Sequence, residues 1–406
     1  MVAEGYKDTE IGVIPIEWDV KKLDDISELT SSKRVHLSDY VDVGIPFYRG
    51  KEITLLKKNK IVDDLLYISE EQYNKIKNQF GIPMRNDILI TAVGTLANTY
   101  RIPNDNPFYF KDGNLIWLKD ISENSIFIDY MLGFHKKQIL DSAIGSSQKA
   151  LTIKELKRIK IPLPPLKEQE KIADILSTAD EKIDAIALQI QKAETLKKGL
   201  LQKLLSEGIG HSEFKDSELG KIPEGWEVVK LNDLGKITMG QSPKSDTYNT
   251  DKIGMPLIQG NADCKNRKTI PRTYTTDLTK ECFIGDIIMT VRAPVGAISK
   301  SLHNACIGRG VCSIKPKEDN EYIYHCLVAY EDNWDKLSQG STFTAVSGSD
   351  IKNLKFPLPP LEEQKQIAEI LSTADEKLEV LKAKKEKYET LKKGLLQKLL
   401  SGEVRV

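Results

Sequence analysis

The segment "PLPPLKEQEKIADILSTADEKI" from Pro162 returns almost unchanged as "PLPPLEEQKQIAEILSTADEKL" from Pro357. Over residues 162–206 and 357–401 the two copies agree at 31 of 45 positions, without a gap, at an offset of 195. A second correspondence joins "YKDTEIGVIPIEWDVKKL" from Tyr6 to "FKDSELGKIPEGWEVVKL" from Phe214, identical at 10 of 18 positions at an offset of 208. The 406-residue chain is therefore two copies of one plan: Ile-Pro and Trp, a variable block, then a Pro-Pro helix. In the second copy the block is 13 residues shorter.

The blocks share only fragments. "GIPFYRG" from Gly44 matches "GMPLIQG" from Gly254, and "NDILITAVGT" from Asn86 matches "GDIIMTVRAP" from Gly285. "IGSSQKA" from Ile144 sits beside "QGSTFTA" from Gln339. Short β-branched runs such as "DIIMTV", "DILITAV" and "NLIWLKD" are bounded by turn residues and predict strands. "SEEQYNKIKNQF" and "EYIYHCLVAYEDNW" predict helices. The expected division is a mixed α/β module at 1–161, a helix at 162–206, a second module at 207–356 and a second helix at 357–406. A duplicated frame with divergent inserts implies one scaffold presenting two different surfaces.

Pro164 and Pro165 give the repeated helix an extended approach, and Glu168 follows where the helix dipole favours acid. Apolar residues then recur at Ile172, Leu176, Ala179, Ile183, Ile186, Ile190 and Ala193 in alternating steps of four and three, a heptad seam. Beyond Ala193 the stripe is expected to shift phase, through Leu196, Leu200 and Leu204. The second copy gives Ile367, Leu371, Ala374, Leu378, Leu381, Lys385, Tyr388, Leu391, Leu395 and Leu399. "STADE" could cap a new helix at Thr178, but one continuous helix, about 60 Å long at 1.5 Å per residue, is the favoured reading. One apolar stripe needs a partner. The two copies should pair as an antiparallel coiled coil about a pseudo-twofold axis, giving an α+β fold with a module at either end.

Composition excludes several classes. Basic and acidic residues balance at 59 each, so bulk charge does not hold the chain to nucleic acid. Neither module is basic overall. The first 161 residues carry 23 basic and 23 acidic side chains, and 207–356 carry 19 and 20. There is no leader-like apolar segment at the start and no run long enough for a membrane span, which points to a cytoplasmic protein. The five cysteines form no CxxC pair, and His303 near Cys306 is too little for a metal site. Phosphate loops, GxGxxG, GxSxG, HExxH and an Asn/Asp-Pro-Pro-aromatic tetrapeptide are all missing. Asp180-Glu181-Lys182 resembles part of a nuclease site but repeats as Asp375-Glu376-Lys377 on the helix, where solvated charge explains it. No catalytic residue, cofactor or metal is expected.

Two variable blocks, each followed by "PLPPLxEQ" and a helix ending "LKKGLLQKLL", resemble the specificity subunits of Type I restriction-modification systems. That resemblance covers essentially the whole chain. It implies two target recognition domains, each reading half of a bipartite, asymmetric site in double-stranded DNA. It further implies helices that set the spacer and dock methyltransferase subunits. Adenine methylation and ATP-dependent translocation and cleavage would belong to the modification and restriction subunits.

Base edges are read by Arg, Lys, Asn, Gln, Ser and Thr held on loops. In the first module the candidates are Lys33, Arg34, Arg49, Lys51, Thr95 and Gln148. In the second they are Gln241, Ser242, Lys244, Arg267, Lys268, Arg292, Thr342 and Phe343. Trp18 and Trp226 hold the same place in the frame and read as packing residues. The competing interpretation is a non-catalytic scaffold whose modules bind proteins. A nuclease acting alone comes third.

Overall fold

The computed structural model describes residues 4–58, 60–145, 149–338 and 346–406. It divides into two compact units, residues 1–185 with 385–406, and residues 186–384.

In the first unit the leading segment folds back as an antiparallel hairpin, Tyr6–Thr9 against Gly12–Pro15. Trp18 follows and is fully buried. Strand Asp19–Lys22 pairs antiparallel with Lys160–Leu163, so the module is tied shut just where the long helix begins. Between these ends lie two four-stranded sheets. One is antiparallel, in the order Glu28–Thr30, Leu115–Lys119, Ile88–Thr91, Thr99–Arg101. Ile88–Thr91 is buried at every residue, which is why its sequence is a continuous apolar run and does not alternate. The other has the order Tyr109–Phe110, Ile45–Tyr48, Leu66–Ile68, Tyr40–Val41. Helix Glu70–Phe80 is capped by the Ser69 hydroxyl, and Ser125–Phe134 by Asn124, which accepts from the N–H groups of Ile126 and Phe127. Ile172, Ala173 and Leu176 of the first long helix and Leu399 and Leu400 of the second join the core of this module.

The second unit repeats the plan. Hairpin Phe214–Ser217 with Gly220–Pro223 precedes buried Trp226, and Glu227–Lys230 pairs with Lys355–Leu358. A six-stranded sheet is built around Val311–Pro316 and Ile287–Thr290, and a five-stranded sheet around Met255–Ile258 and Ala305–Ile307. Helix Asn320–Ser338 covers the larger sheet, burying Tyr322, Ile323, Cys326 and Leu327. Leu204, Ile367, Ala368 and Leu371 supply the long-helix part of the core.

The long helices, Leu166–Ser206 of 41 residues and Leu361–Leu400 of 40, are each uninterrupted, so "STADE" starts no new helix. Their segments run antiparallel within each unit. In the first, Asp180 pairs with Lys392 while Glu168, twelve residues earlier, meets Arg405 beyond the end of the second helix. In the second, Lys197 pairs with Asp375 and Glu194 with Lys382. Contrary to expectation, the seam does not shift after Ala193. Leu196 is 59% exposed, and the neighbouring Lys197 takes the seam position with its side chain only 12% exposed. Leu391 and Lys392 repeat the exchange at 54% and 21%. A lysine can do this because its stem covers apolar surface while its ammonium meets the facing aspartate. Asp180 and Asp375 are therefore seam partners and not merely solvated charges. No helix among the described residues is long and apolar enough to cross a membrane.

Candidate functional site

Strand Ile45–Tyr48 of the first module ends at Arg49, and helix Gly50–Leu56 starts directly after it. The Arg49 N–H donates to Glu52 at 2.7 Å, and its guanidinium donates to the same carboxylate at 2.7 Å. Burial opposes charge on Glu52, but these hydrogen bonds hold it below the usual carboxylate range; the same bonds raise the Arg49 guanidinium. Nearby, the Thr91 hydroxyl donates to the Thr95 carbonyl at 2.5 Å and accepts from the Asn98 N–H at 2.9 Å, stapling a tight loop. Helix start and stapled loop enclose a cleft of about 560 Å³ lined by Arg49, Lys51, Thr54, Thr91, Thr95 and Asn114. Three sequence candidates, Arg49, Lys51 and Thr95, thus share one cleft.

The other first-module candidates do not line it. Lys33 Nζ stands 4.6 Å over the Phe80 ring, and Arg34 donates to Asp112 at 3.0 Å. Gln148 lies outside the described residues.

The second module reproduces the site with other side chains. Gln259 follows strand Met255–Ile258 as Arg49 follows Ile45–Tyr48, and its N–H donates to Asp263 at 2.8 Å. The Thr290 hydroxyl donates to the Pro294 carbonyl at 2.6 Å and accepts from the Ala297 N–H at 2.9 Å. Arg292 therefore sits in the stapled loop, in the place of Val93. Further loops close on the same point. Gln241 N–H donates to Ile307 O at 2.9 Å, Arg309 N–H to Ser242 Oγ at 3.3 Å and Val291 N–H to Gly310 O at 2.9 Å. Glycine makes this approach possible: a Cβ at Gly310 would lie 2.1 Å from Gln259 O, and one at Gly240 2.2 Å from Gly308 O. Gln241, Lys244 and Arg292 are exposed and Ser242 is half-buried. Lys244 uses its backbone N–H to bond Asp277 at 3.0 Å.

Arg267 and Lys268 are both ion-paired within the second unit. Arg267 grips Glu331 through two hydrogen bonds of 2.7 and 2.8 Å, which raise its pKa, and donates to Ile298 O at 3.2 Å. Lys268 reaches Glu379 of the second long helix at 3.0 Å. Thr342 and Phe343 lie outside the described residues. Asn114, Gln259 and Arg309 join these positions only in the structure. The sequence carries a signal for Gln259, because "YRG" and "IQG" align in the shared fragment and set Gln259 opposite Arg49. Arg309 was marked by glycines on both sides. Among the described residues no group of three or more His, Cys, Asp or Glu is placed to hold a metal ion.

The model of a family described as "Type I restriction modification DNA specificity domain" matches residues 15–195 and again residues 223–390. "Putative type I restriction enzyme MjaX specificity subunit" of Methanocaldococcus jannaschii is 36% identical, over 99% of this chain and 97% of its own. The MjaVIII type I restriction enzyme specificity subunit of the same organism is 29% identical over 99% and 96%. The S subunit of a type I restriction-modification system from M. genitalium superposes with a TM-score of 0.64. It covers 94% of this chain and 96% of its own at 16% identity, a likeness of fold. With the family match spanning both modules and a relative aligned end to end, the chain belongs to the Type I restriction-modification specificity subunits.

Proposed function

We propose that the chain confers DNA sequence specificity on a Type I restriction-modification complex, each module reading one half of a bipartite site in double-stranded DNA. The observation that carries this reading is the double match of the specificity-domain family, one in each half of a duplicated frame. The divergence of the two loop sites adds to it. Arg49, Lys51, Val93 and Thr95 of one module have Gln259, Asn261, Arg292 and Pro294 at the corresponding places of the other, as two unlike half-sites require. With zero net charge, the phosphate contacts that give affinity come largely from methyltransferase subunits docked on the helices. Methylation of adenine and ATP-dependent cleavage are then the work of partner subunits in the cytoplasm, and this chain supplies no catalytic group.

The test is selection from a pool of randomised duplexes by the full chain assembled with its methyltransferase subunits. Two defined half-sites separated by an unread spacer are expected; retention without any sequence preference would overturn the proposal. Its ruler component has a separate readout. Seven residues inserted into each long helix, after Ile190 and after Leu381, extend each by about 10 Å, or about three base pairs. The spacer should lengthen with both half-sites unchanged; an unchanged spacer would remove the helices from that role.

A further inference from the structure

Several cations around the loop site of the second module are held in ion pairs. Arg267, Arg272, Lys268 and Lys300 are each ion-paired, with Glu331, Asp263, Glu379 and Glu321. Arg292 and Arg309 are exposed, and among the described residues their side chains make no hydrogen bond or ion pair. The same holds for the exposed Gln259 amide. Arg309 is conspicuous by position: in the run from Ala305 to Ile314 every other residue is buried. Gly308 and Gly310 on either side are packed against Gln259, so Arg309 and Gln259 emerge side by side. The bond from Val291 N–H to Gly310 O brings the Arg292 loop to the same edge.

We infer that Gln259, Arg292 and Arg309 form the base-reading cluster of the second module. The inference rests on the DNA-specificity reading and deepens it. Three features argue for base edges over the phosphate backbone alone. The side chains are bidentate groups of the kind that match duplex edges, arginine donating to guanine O6 and N7, glutamine donating to adenine N7 and accepting from its N6 amino group. They stand on loops laced by backbone hydrogen bonds at 2.8–2.9 Å, from Gly308 N–H to Ile258 O and from Val291 N–H to Gly310 O. Little further ordering is then needed on binding. Finally, the first module fills the corresponding places with Arg49, Val93 and the Lys111–Asn114 turn, so the cluster differs where two half-sites must differ.

The experiment uses the full chain assembled with its methyltransferase subunits and the same randomised-duplex selection. Gln259→Ala, Arg292→Ala, Arg309→Ala and Arg309→Lys are compared with the unsubstituted complex. Each alanine variant should lose about tenfold or more of its base discrimination at one or two positions of a single half-site. The other half-site should be unaffected. Arg309→Lys keeps the charge but not the fork, so it should retain binding while losing discrimination at the same position as Arg309→Ala. Equal weakening on all sequences, the mark of a phosphate contact, would overturn the inference, as would unchanged preferences in all four variants or losses in both half-sites. Arg292 is exposed and unpartnered, so Arg292→Ala decides the matter even if Arg309→Ala fails to assemble. Absence of any bipartite preference in the unsubstituted complex is a different failure, and sinks the functional reading along with the cluster.

Discussion

The ammonium of Lys197 lies against the carboxylate of Asp375, inside the helix seam at a position beside an outward-facing leucine. The pair fixes which residues of the seam matter. Leu204 is 7% exposed, whereas Leu196 is 59% exposed. Leu204→Ala should cost about 2–4 kcal/mol by loss of burial and a residual cavity. Leu196→Ala should cost less than about 0.5 kcal/mol. Urea unfolding of the full chain checks both. A larger cost at Leu196 would return the seam to the phase read from sequence.

That error shows where sequence patterning stops. Both long helices, the strands Ile88–Thr91 and Ile287–Thr290, and the helix Glu70–Phe80 were legible because spacing alone fixes them. Lys197 was not, since hydropathy ranks it outside while a facing carboxylate makes it tenable inside. The candidate site was half legible for a related reason. Arg49 and Arg267 look alike as isolated letters; Arg49 is paired with Glu52 three residues on and still lines a cleft, whereas Arg267 is held by Glu331, a partner 64 residues away. Gln259 and Arg309 become neighbours only through glycine-mediated packing of separate loops. Tertiary pairing decides which polar residue is free, and no window of sequence contains it.

At the end of the chain, Arg405 donates to both Glu168 oxygens at 2.6 and 2.8 Å, while Trp18 Nε1 donates to the same carboxylate at 3.2 Å. Glu168 is 5% exposed, so losing Arg405 leaves a buried carboxylate poorly compensated. Arg405→Ala should destabilise the first unit by about 1–2 kcal/mol, a reduced figure because the Arg405 side chain is itself 36% exposed. Urea unfolding followed through tryptophan emission reads this, in a Trp226→Phe, Trp334→Phe background that leaves only Trp18 and Trp117 of the first unit as reporters. An unchanged midpoint would mean water replaces the guanidinium without penalty.

In the second unit a histidine takes the place that Tyr130, bonded to Asp180, holds in the first. His325, at offset 195 from Tyr130, is fully buried, bonds Ser372 at 3.2 Å and lies 3.9 Å from Asp375. Burial lowers its pKa from 6.5 to about 4; Asp375 opposes the shift, and Lys197, Lys300 and Arg267 add to it. The unfolded chain therefore takes up this proton near pH 6.5 and the folded one only near pH 4. Stability from this group is complete above pH 6.5 and is lost as the pH falls towards 4, by about 3 kcal/mol at most. His325→Gln should flatten that part of the stability curve. Equal acid slopes in the two proteins, measured by urea titration between pH 4.5 and 7, would show that His325 titrates normally in the fold.

The last prediction concerns residues 1–206 alone. In the full chain Asp180 is paired with Lys392, which corresponds to Lys197 at the offset of 195. The fragment retains both Asp180 and Lys197, along with an apolar seam that lacks its usual cover. A second copy can cover that seam about a true twofold, each Lys197 meeting the other's Asp180, so the fragment should sediment as a dimer. Charge reversal gives the decisive control. Asp180→Lys sets lysine against lysine twice per dimer, and Lys197→Asp sets aspartate against aspartate, so each variant alone should weaken the dimer by about tenfold or more. Mixed together, they restore an opposite-charge pair at both contacts, and the heterodimer should form where neither homodimer does. Two variants that dimerise separately as well as the parent would place the seam elsewhere on the helix, and the pairing of Asp180 with its lysine would have no part in setting register.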